Sequence, residues 1–264
     1  MAIKRNKNNS RRSPYAAILV ILAGLLVSGG GYAAANAVVN AKTETTYSAA
    51  DIKTGNQLFL ANCASCHGRN AEGTKNAPSL IGVGAASVDF QVSTGRMPGA
   101  ASGPQLPTKT VQFTEEQIKQ LAAYVASLAP GPAVPTSYLD PTAGNSTRGG
   151  ELFRINCAMC HNAVGAGGAL TEGKWAASLR EASPKEIYEA MLTGPQNMPV
   201  FNDANITPKD KQDIISYLTY VQNNPSAGGD ELANLGPVAE GLFAWIFMLG
   251  GIVAITIWLG AKSN

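Results

Sequence analysis

The sequence predicts an all-α protein in which two small helical units stand in tandem between apolar end segments. Three observations carry that expectation. A stretch beginning at Gly55, "GNQLFLANCASCHGRNAEG", returns at Gly149 as "GGELFRINCAMCHNAVGAG", so one unit is built twice. Apolar residues in both copies recur at helical spacing, and no run alternates apolar with polar long enough to suggest a sheet. Uncharged stretches of about 20 residues lie near both ends, the length a helix needs to cross a bilayer core of ~30 Å.

Residues 1–40 join a basic start to an apolar run. Lys4, Arg5, Lys7, Arg11 and Arg12 precede "AAILVILAGLLVSGGGYAAA" at Ala16–Ala35. A retained anchor and a signal peptide both fit, the second through the small residues around Ala35-Asn36-Ala37. Gly29, Gly30 and Gly31 weaken this run as a helix. At the other end, residues 242–261 read "LFAWIFMLGGIVAITIWLGA", with Trp245 and Trp258 near the two ends as an interfacial belt would have them. Lys262 follows at once, so the positive-inside bias puts this end in the cytoplasm. The basic start gives the same answer for the other end if its segment is retained, leaving the two units on the extracytoplasmic side. Charged residues make up only 14% of the chain, against roughly 25% in soluble domains. Of its 20 bases, the five named above and Lys262 are terminal, so the body carries 14 bases against 18 acids. That balance gives no argument for nucleic acid binding.

The first unit is expected over 48–129 and the second over 146–224. Thr114 and Gln117 make a capping box ahead of the stripe Ile118, Leu121, Ala122, Val125. Thr207 is an N-cap followed by Pro208 and Asp210, and Ile214, Tyr217, Leu218 and Val221 then share a face. Ser183-Pro184 starts another helix and Gly194 ends it. Between the units, residues 130–145 hold four prolines and read as a stiff, extended spacer. Residues 225–241 are a connector to the last helix.

The chemistry lies in the repeated hexapeptide. Its two copies hold all four cysteines and both histidines, as Cys63, Cys66, His67 and Cys157, Cys160, His161. Cys-x-x-Cys-His is the attachment spacing of c-type haem: two thiols add to two vinyl groups, and the next histidine falls under the iron. A redox dithiol needs no histidine, and a zinc ion needs four ligands where each copy offers three. With no histidine or cysteine left over, methionine is the remaining distal partner, the usual one in cytochromes c. Of six methionines, Met1 and Met248 lie in the end segments, and Met159 sits inside the second motif. Met191 falls on an apolar helix stripe with Ile187 and Ala190. Met97 in "STGRMPG" and Met198 in "LTGPQNMPV" remain, one per unit, each after Thr-Gly and before Pro. They are the expected axial ligands opposite His67 and His161. Pro78 is a candidate carbonyl acceptor for the ring N–H of His67.

The repeats "CASCH…TGRMP" and "CAMCH…TGPQNMP" resemble class I cytochrome c domains with His/Met ligation. With the apolar start and "GPVAEGLFAWIFMLGG" after the second unit, the chain resembles the dihaem cytochrome cc subunits of actinobacterial cytochrome bc1 complexes. That resemblance implies two tandem class I cytochrome c-like domains plus terminal transmembrane helices, and two covalently bound haem c groups. It implies as partners a cytochrome b subunit, a Rieske iron-sulfur subunit and the copper-centre subunit of a cytochrome aa3 oxidase, within a menaquinol-oxidising assembly. The chain would then carry electrons and have no substrate-transforming site of its own. The alternative is a cytochrome c subunit of another membrane oxidase or dehydrogenase. One departure stands out: "APSL" at 77–80 is expected to lack a counterpart in the second unit, where "GGALTEG" stands.

Overall fold

A computed structural model describes residues 15–41, 47–101, 103, 105–224 and 237–262. The basic run before residue 13 and most of the 225–241 connector lie outside the described residues. Ala16–Ala41 forms α1, which continues through Gly29–Gly31 and past residues 35–37. Alanine and leucine on both sides of the glycines are strong helix formers and outweigh the weakness expected there.

The first domain contains α2 (Ala49–Asn62), the one-turn α3 (Ala64–His67), α4 (Gly84–Ser93) and α5 (Glu115–Leu128). Ser48 caps α2 by accepting from the Asp51 N–H, and the Thr114–Gln117 box closes the start of α5 as its sequence predicts. The helices α2 and α5 cross where Gly55 lets the backbones touch; a Cβ there would lie 1.9 Å from the Gln120 carbonyl oxygen. Phe59 and Tyr124 meet just beyond the crossing with ring centroids 5.1 Å apart. Phe59, Val92, Ile118, Leu121 and Val125 form the core.

The second domain repeats the plan with α6 (Ser146–Asn156), α7 (Ala158–His161), α8 (Pro184–Thr193) and α9 (Pro208–Asn223). A Cβ on Gly149 would lie 1.8 Å from the Asp213 carbonyl oxygen, so α6 meets α9 as α2 meets α5. Phe153, Ile187, Met191, Ile214, Ile215 and Leu218 are its core. Each such side chain removed from water contributes about 1.5–3 kcal/mol. Capping boxes at Ser183–Glu186 and Thr207–Asp210 start α8 and α9, and Gly194 ends α8 in the left-handed region. Lys211 is fully buried beneath this core, its ammonium 2.5 Å from Asp203 and 5.5 Å from the Tyr188 ring centroid. One small sheet was not expected: β1 (Gly168–Ala169) pairs antiparallel with β2 (Trp175–Ala176).

The proline-rich segment, expected as a stiff spacer, is bonded to both domains. The Pro132 carbonyl accepts from the Ala86 N–H of the first domain, while the Asp140 and Pro141 carbonyls accept from Gln212 and Ser216 of the second. Four prolines keep it extended, but those bonds lay it along both domains, which touch each other directly through α4 and α8. The carboxyl-terminal helix runs as α10 (Pro237–Ala244), a π-helical turn at Trp245–Leu249, and α11 (Gly250–Lys262). Its stretch Ala239–Lys262 has 24 residues and mean hydropathy 2.3, long and apolar enough to span a membrane. Lys262 folds back over the Trp258 ring, 4.8 Å from its centroid, as a cationic end at an aromatic belt does.

Candidate haem sites

Each hexapeptide closes one helix and opens another. Cys63 ends α2, its N–H donating to Phe59, and starts α3 with φ −122° and ψ −31°. Cys157 does the same between α6 and α7 with φ −124° and ψ −36°. That break lets a single turn carry all three reactive side chains. The amides of Cys66 and His67 donate to the Cys63 carbonyl at 3.1 and 3.0 Å, and those of Cys160 and His161 donate to Cys157 at 3.1 and 2.9 Å. The turn is left through positive φ in both copies, at Gly68 in one and at Asn162 in the other. Six residues after each histidine a glycine N–H returns to its carbonyl, from Gly73 to His67 and from Gly167 to His161.

The histidines are held by backbone. His67 Nδ1 lies 2.8 Å from the Pro78 carbonyl oxygen, the acceptor anticipated from the sequence. His161 Nδ1 lies 2.9 Å from the carbonyl oxygen of Ala177. The ring must therefore donate from Nδ1, which leaves the Nε2 lone pair free to ligate in both copies. Burial lowers the His161 pKa, which favours the neutral, ligating form.

This corrects the expectation that the second domain lacks a counterpart of "APSL". The counterpart is Ala176-Ala177-Ser178-Leu179, "AASL", displaced along the chain. The separation between histidine and acceptor is 11 residues in the first domain and 16 in the second. The β1–β2 hairpin takes up the five extra residues. Beyond the acceptor the two loops coincide again: the Leu80 N–H donates to Ala71, and the Leu179 N–H donates to Gly165. The signal was present in the letters "ASL", but comparison at a fixed offset passes over it.

The candidate distal residues sit on loops after α4 and α8. The Met97 N–H donates to Gln91, and the side chain packs on the same apolar cluster as Cys63. The Met198 N–H donates to Pro195, and its side chain packs on the cluster containing Cys157. Met191 is 2% exposed within that core, and Met159 is 94% exposed, so neither is placed as a ligand would be. Trp175 is 41% exposed on β2.

The donor set fits covalent haem. All four cysteines are free. Burial and the neighbouring Cys66 push the Cys63 thiol up to about 11; burial and Cys160 do the same to Cys157. A redox dithiol or a zinc site calls for a thiolate, which such an environment disfavours. Among the described residues, no three His, Cys, Asp or Glu side chains converge as a metal cluster.

The two distal loops are stitched to each other's domain by two glutamines. Gln105 accepts from the Trp175 N–H at 2.8 Å and donates to the Trp175 carbonyl at 2.6 Å. Gln196 accepts from the Leu106 N–H and donates to the Leu106 carbonyl, both at 3.1 Å. Each amide imitates one rung of a sheet. Sequence reading missed both residues, because nothing local marks a glutamine that pairs with backbone 70 or 90 positions away.

Comparison with known proteins agrees with this geometry. Residues 52–129 match the cytochrome c family, and residues 144–218 match the family of cbb3-type cytochrome c oxidase subunit III. The chain is 40% identical to the cytochrome bc1 complex cytochrome c subunit of Corynebacterium efficiens, over 98% of this chain and 93% of that one. It is 41% identical to the protein of the same name from Mycobacterium tuberculosis, over 98% and 95%. A cbb3-type oxidase subunit FixP from Sinorhizobium medicae is 31% identical over 42% of this chain and 39% of its own. With two cytochrome c domains, a fold that indicates covalently bound haem c, and with full-length similarity to these relatives, the chain belongs to the family of cytochrome c subunits of cytochrome bc1 complexes.

Proposed function

We propose that this chain is the dihaem electron carrier of a menaquinol-oxidising cytochrome bc1 complex. Its first domain takes electrons from a Rieske iron-sulfur protein, and its second hands them to the copper centre of an aa3-type oxidase. The observation that carries this reading is duplication with direct docking. Two identical attachment turns, each with a carbonyl-held histidine and a methionine on the same core, lie in domains clasped to each other through their distal loops.

A covalently held iron porphyrin supplies reversible one-electron exchange between ferric and ferrous states. The residues here hold and orient it. Cys63 and Cys66 would anchor one group, Cys157 and Cys160 the other. Pro78 and Ala177 fix the imidazole planes of His67 and His161. Met97 and Met198 would serve as the second protein ligands, a choice that raises the potential. With a histidine and a methionine assigned to each group, the chain would carry electrons without transforming a substrate of its own. Both termini are cytoplasmic if α1 is retained, the haem domains lie outside, and cytochrome b joins the Rieske protein as partner.

Purification in mild detergent with subunit identification and a haem count tests this. Cytochrome b, a Rieske protein and aa3 oxidase subunits should co-purify, with two haems per chain. The match of residues 144–218 to an oxidase subunit family favours a second reading, a cytochrome subunit of another oxidase or a dehydrogenase. Recovery with such an enzyme, and without cytochrome b and Rieske subunits, would establish that reading instead.

A further inference from the structure

Where α4 of the first domain meets α8 of the second, two carboxyl side chains are buried together. Glu189 is 0% exposed and Asp89 8%. The Lys185 ammonium lies 2.5 Å from Asp89 Oδ2. Neither oxygen of Glu189 receives a hydrogen bond from any donor, and the polar group it faces is the Asp89 carboxyl. Two ionised carboxylates can only accept, so they cannot satisfy each other. One proton between them turns the repulsive pair into a hydrogen bond, and removes a buried charge at the same time.

The surrounding charges leave that conclusion in place. On α8, Lys185 favours an ionised Glu189 but is engaged by Asp89, and Glu186 disfavours it. From α5, Glu115 acts on Lys185. Just beyond α4, Arg96 stacks on Phe90 and interacts with Glu186. From α9, Lys211 is taken by Asp203. Burial first, and then Asp89, push the Glu189 carboxyl up to about 9. The glutamine clasps between the domains are neutral and do not titrate near this range.

We propose that Asp89 and Glu189 form a single-proton site between the two haem domains, and that its proton keeps the domains docked. The inference rests on this interface alone and not on the electron path proposed above. Once ionised, Glu189 gains solvation only if α4 and α8 part and admit water. The docked state binds the proton more tightly than the parted state, in which the carboxyl titrates near its ordinary 4.5. The proton's contribution to docking is therefore greatest at acid pH. Docking weakens by about tenfold per pH unit as pH climbs between the two midpoints, and the proton's contribution is gone above about 9.

The test uses the haem-loaded full chain in detergent. Infrared spectra should show a protonated carboxyl at pH 7 that titrates away well above neutrality and is missing in Glu189→Gln. Amide exchange of residues 84–93 and 184–193, corrected for its intrinsic pH dependence, should quicken between pH 7 and 10 in the parent and stay constant in Glu189→Gln. No protonated carboxyl at pH 7, or the same exchange profile in both proteins, overturns the proposal. Should Glu189→Gln fail to fold, Asp89→Asn serves in its place. Removing the like charge and supplying an amide donor should lower the infrared midpoint, and an unchanged midpoint overturns the proposal equally.

Discussion

Replacing Gly149 with alanine tests the helix crossing that presents the second attachment turn. The new Cβ would lie 1.8 Å from the Asp213 carbonyl oxygen, where ordinary contact begins at 3.4 Å, so α6 must retreat by about 1.6 Å. The obstacle is backbone on both sides, and no rotamer relieves it. A gap of 0.5–1 Å already forfeits roughly a quarter to a half of a dispersion contact, and Phe153 packs against α9 along this line. The cost should reach the top of the overpacking range, about 3 kcal/mol, which lowers Tm by roughly 12–24 °C in a domain of this size. Calorimetry of the detergent-solubilised protein reads the shift. Gly150→Ala is the internal control, because its Cβ meets only side chains, Tyr217 at 3.0 Å and Arg154 at 3.3 Å, and both can turn aside. A Tm change under about 2 °C for Gly149→Ala, or an equal change for Gly150→Ala, would refute the close-approach argument.

Met198→His should lower the reduction potential of the second haem while leaving its covalent attachment intact; a redox titration with an unchanged potential would show that another group is the ligand. Gln105→Leu combined with Gln196→Leu removes four exposed neutral hydrogen bonds at about 0.5 kcal/mol each, so the docking constant should fall by about 30-fold. Flash reduction should then show slower equilibration between the haems with the Met–iron absorption band preserved, and an unaltered rate would remove the clasps from the account. Asp203→Ala should destabilise the second domain more than Lys211→Met does, because it leaves a fully buried ammonium unpaired whereas methionine fills the same space without charge. Equal loss in urea melts would contradict that ordering.

The parts of this molecule that the sequence announces are those whose physics is local. A Cys-x-x-Cys-His turn, a Thr–Gln capping box and an uncharged stretch that fills a membrane each lie within a few neighbouring positions. Met97 and Met198 become candidates by elimination, from a finite stock of ligands and a repeated Thr-Gly frame. What escaped notice depends on partners far along the chain. Gly55 and Gly149 are ordinary letters until the carbonyl that passes over them is known. Gln105 and Gln196 act on backbone of the other domain, and Glu189 is an unremarkable helix residue until Asp89 is brought against it. The proline-rich segment shows the same division. Its stiffness was legible, but the backbone bonds that lay it along both domains were not.

The Ala177 carbonyl has a consequence for how such proteins can drift. A bond made by main chain survives the exchange of its own side chain, so a residue-by-residue alanine scan would pass over it in silence. The first domain uses proline at this place and the second alanine, with a five-residue detour between histidine and acceptor, and both hold the ring at the same distance within 0.1 Å. Insertions are thus tolerated on this side of the pocket so long as the chain returns to the same rung. The proximal loop, so often treated as a fixed signature, is in physical terms the part with room to lengthen.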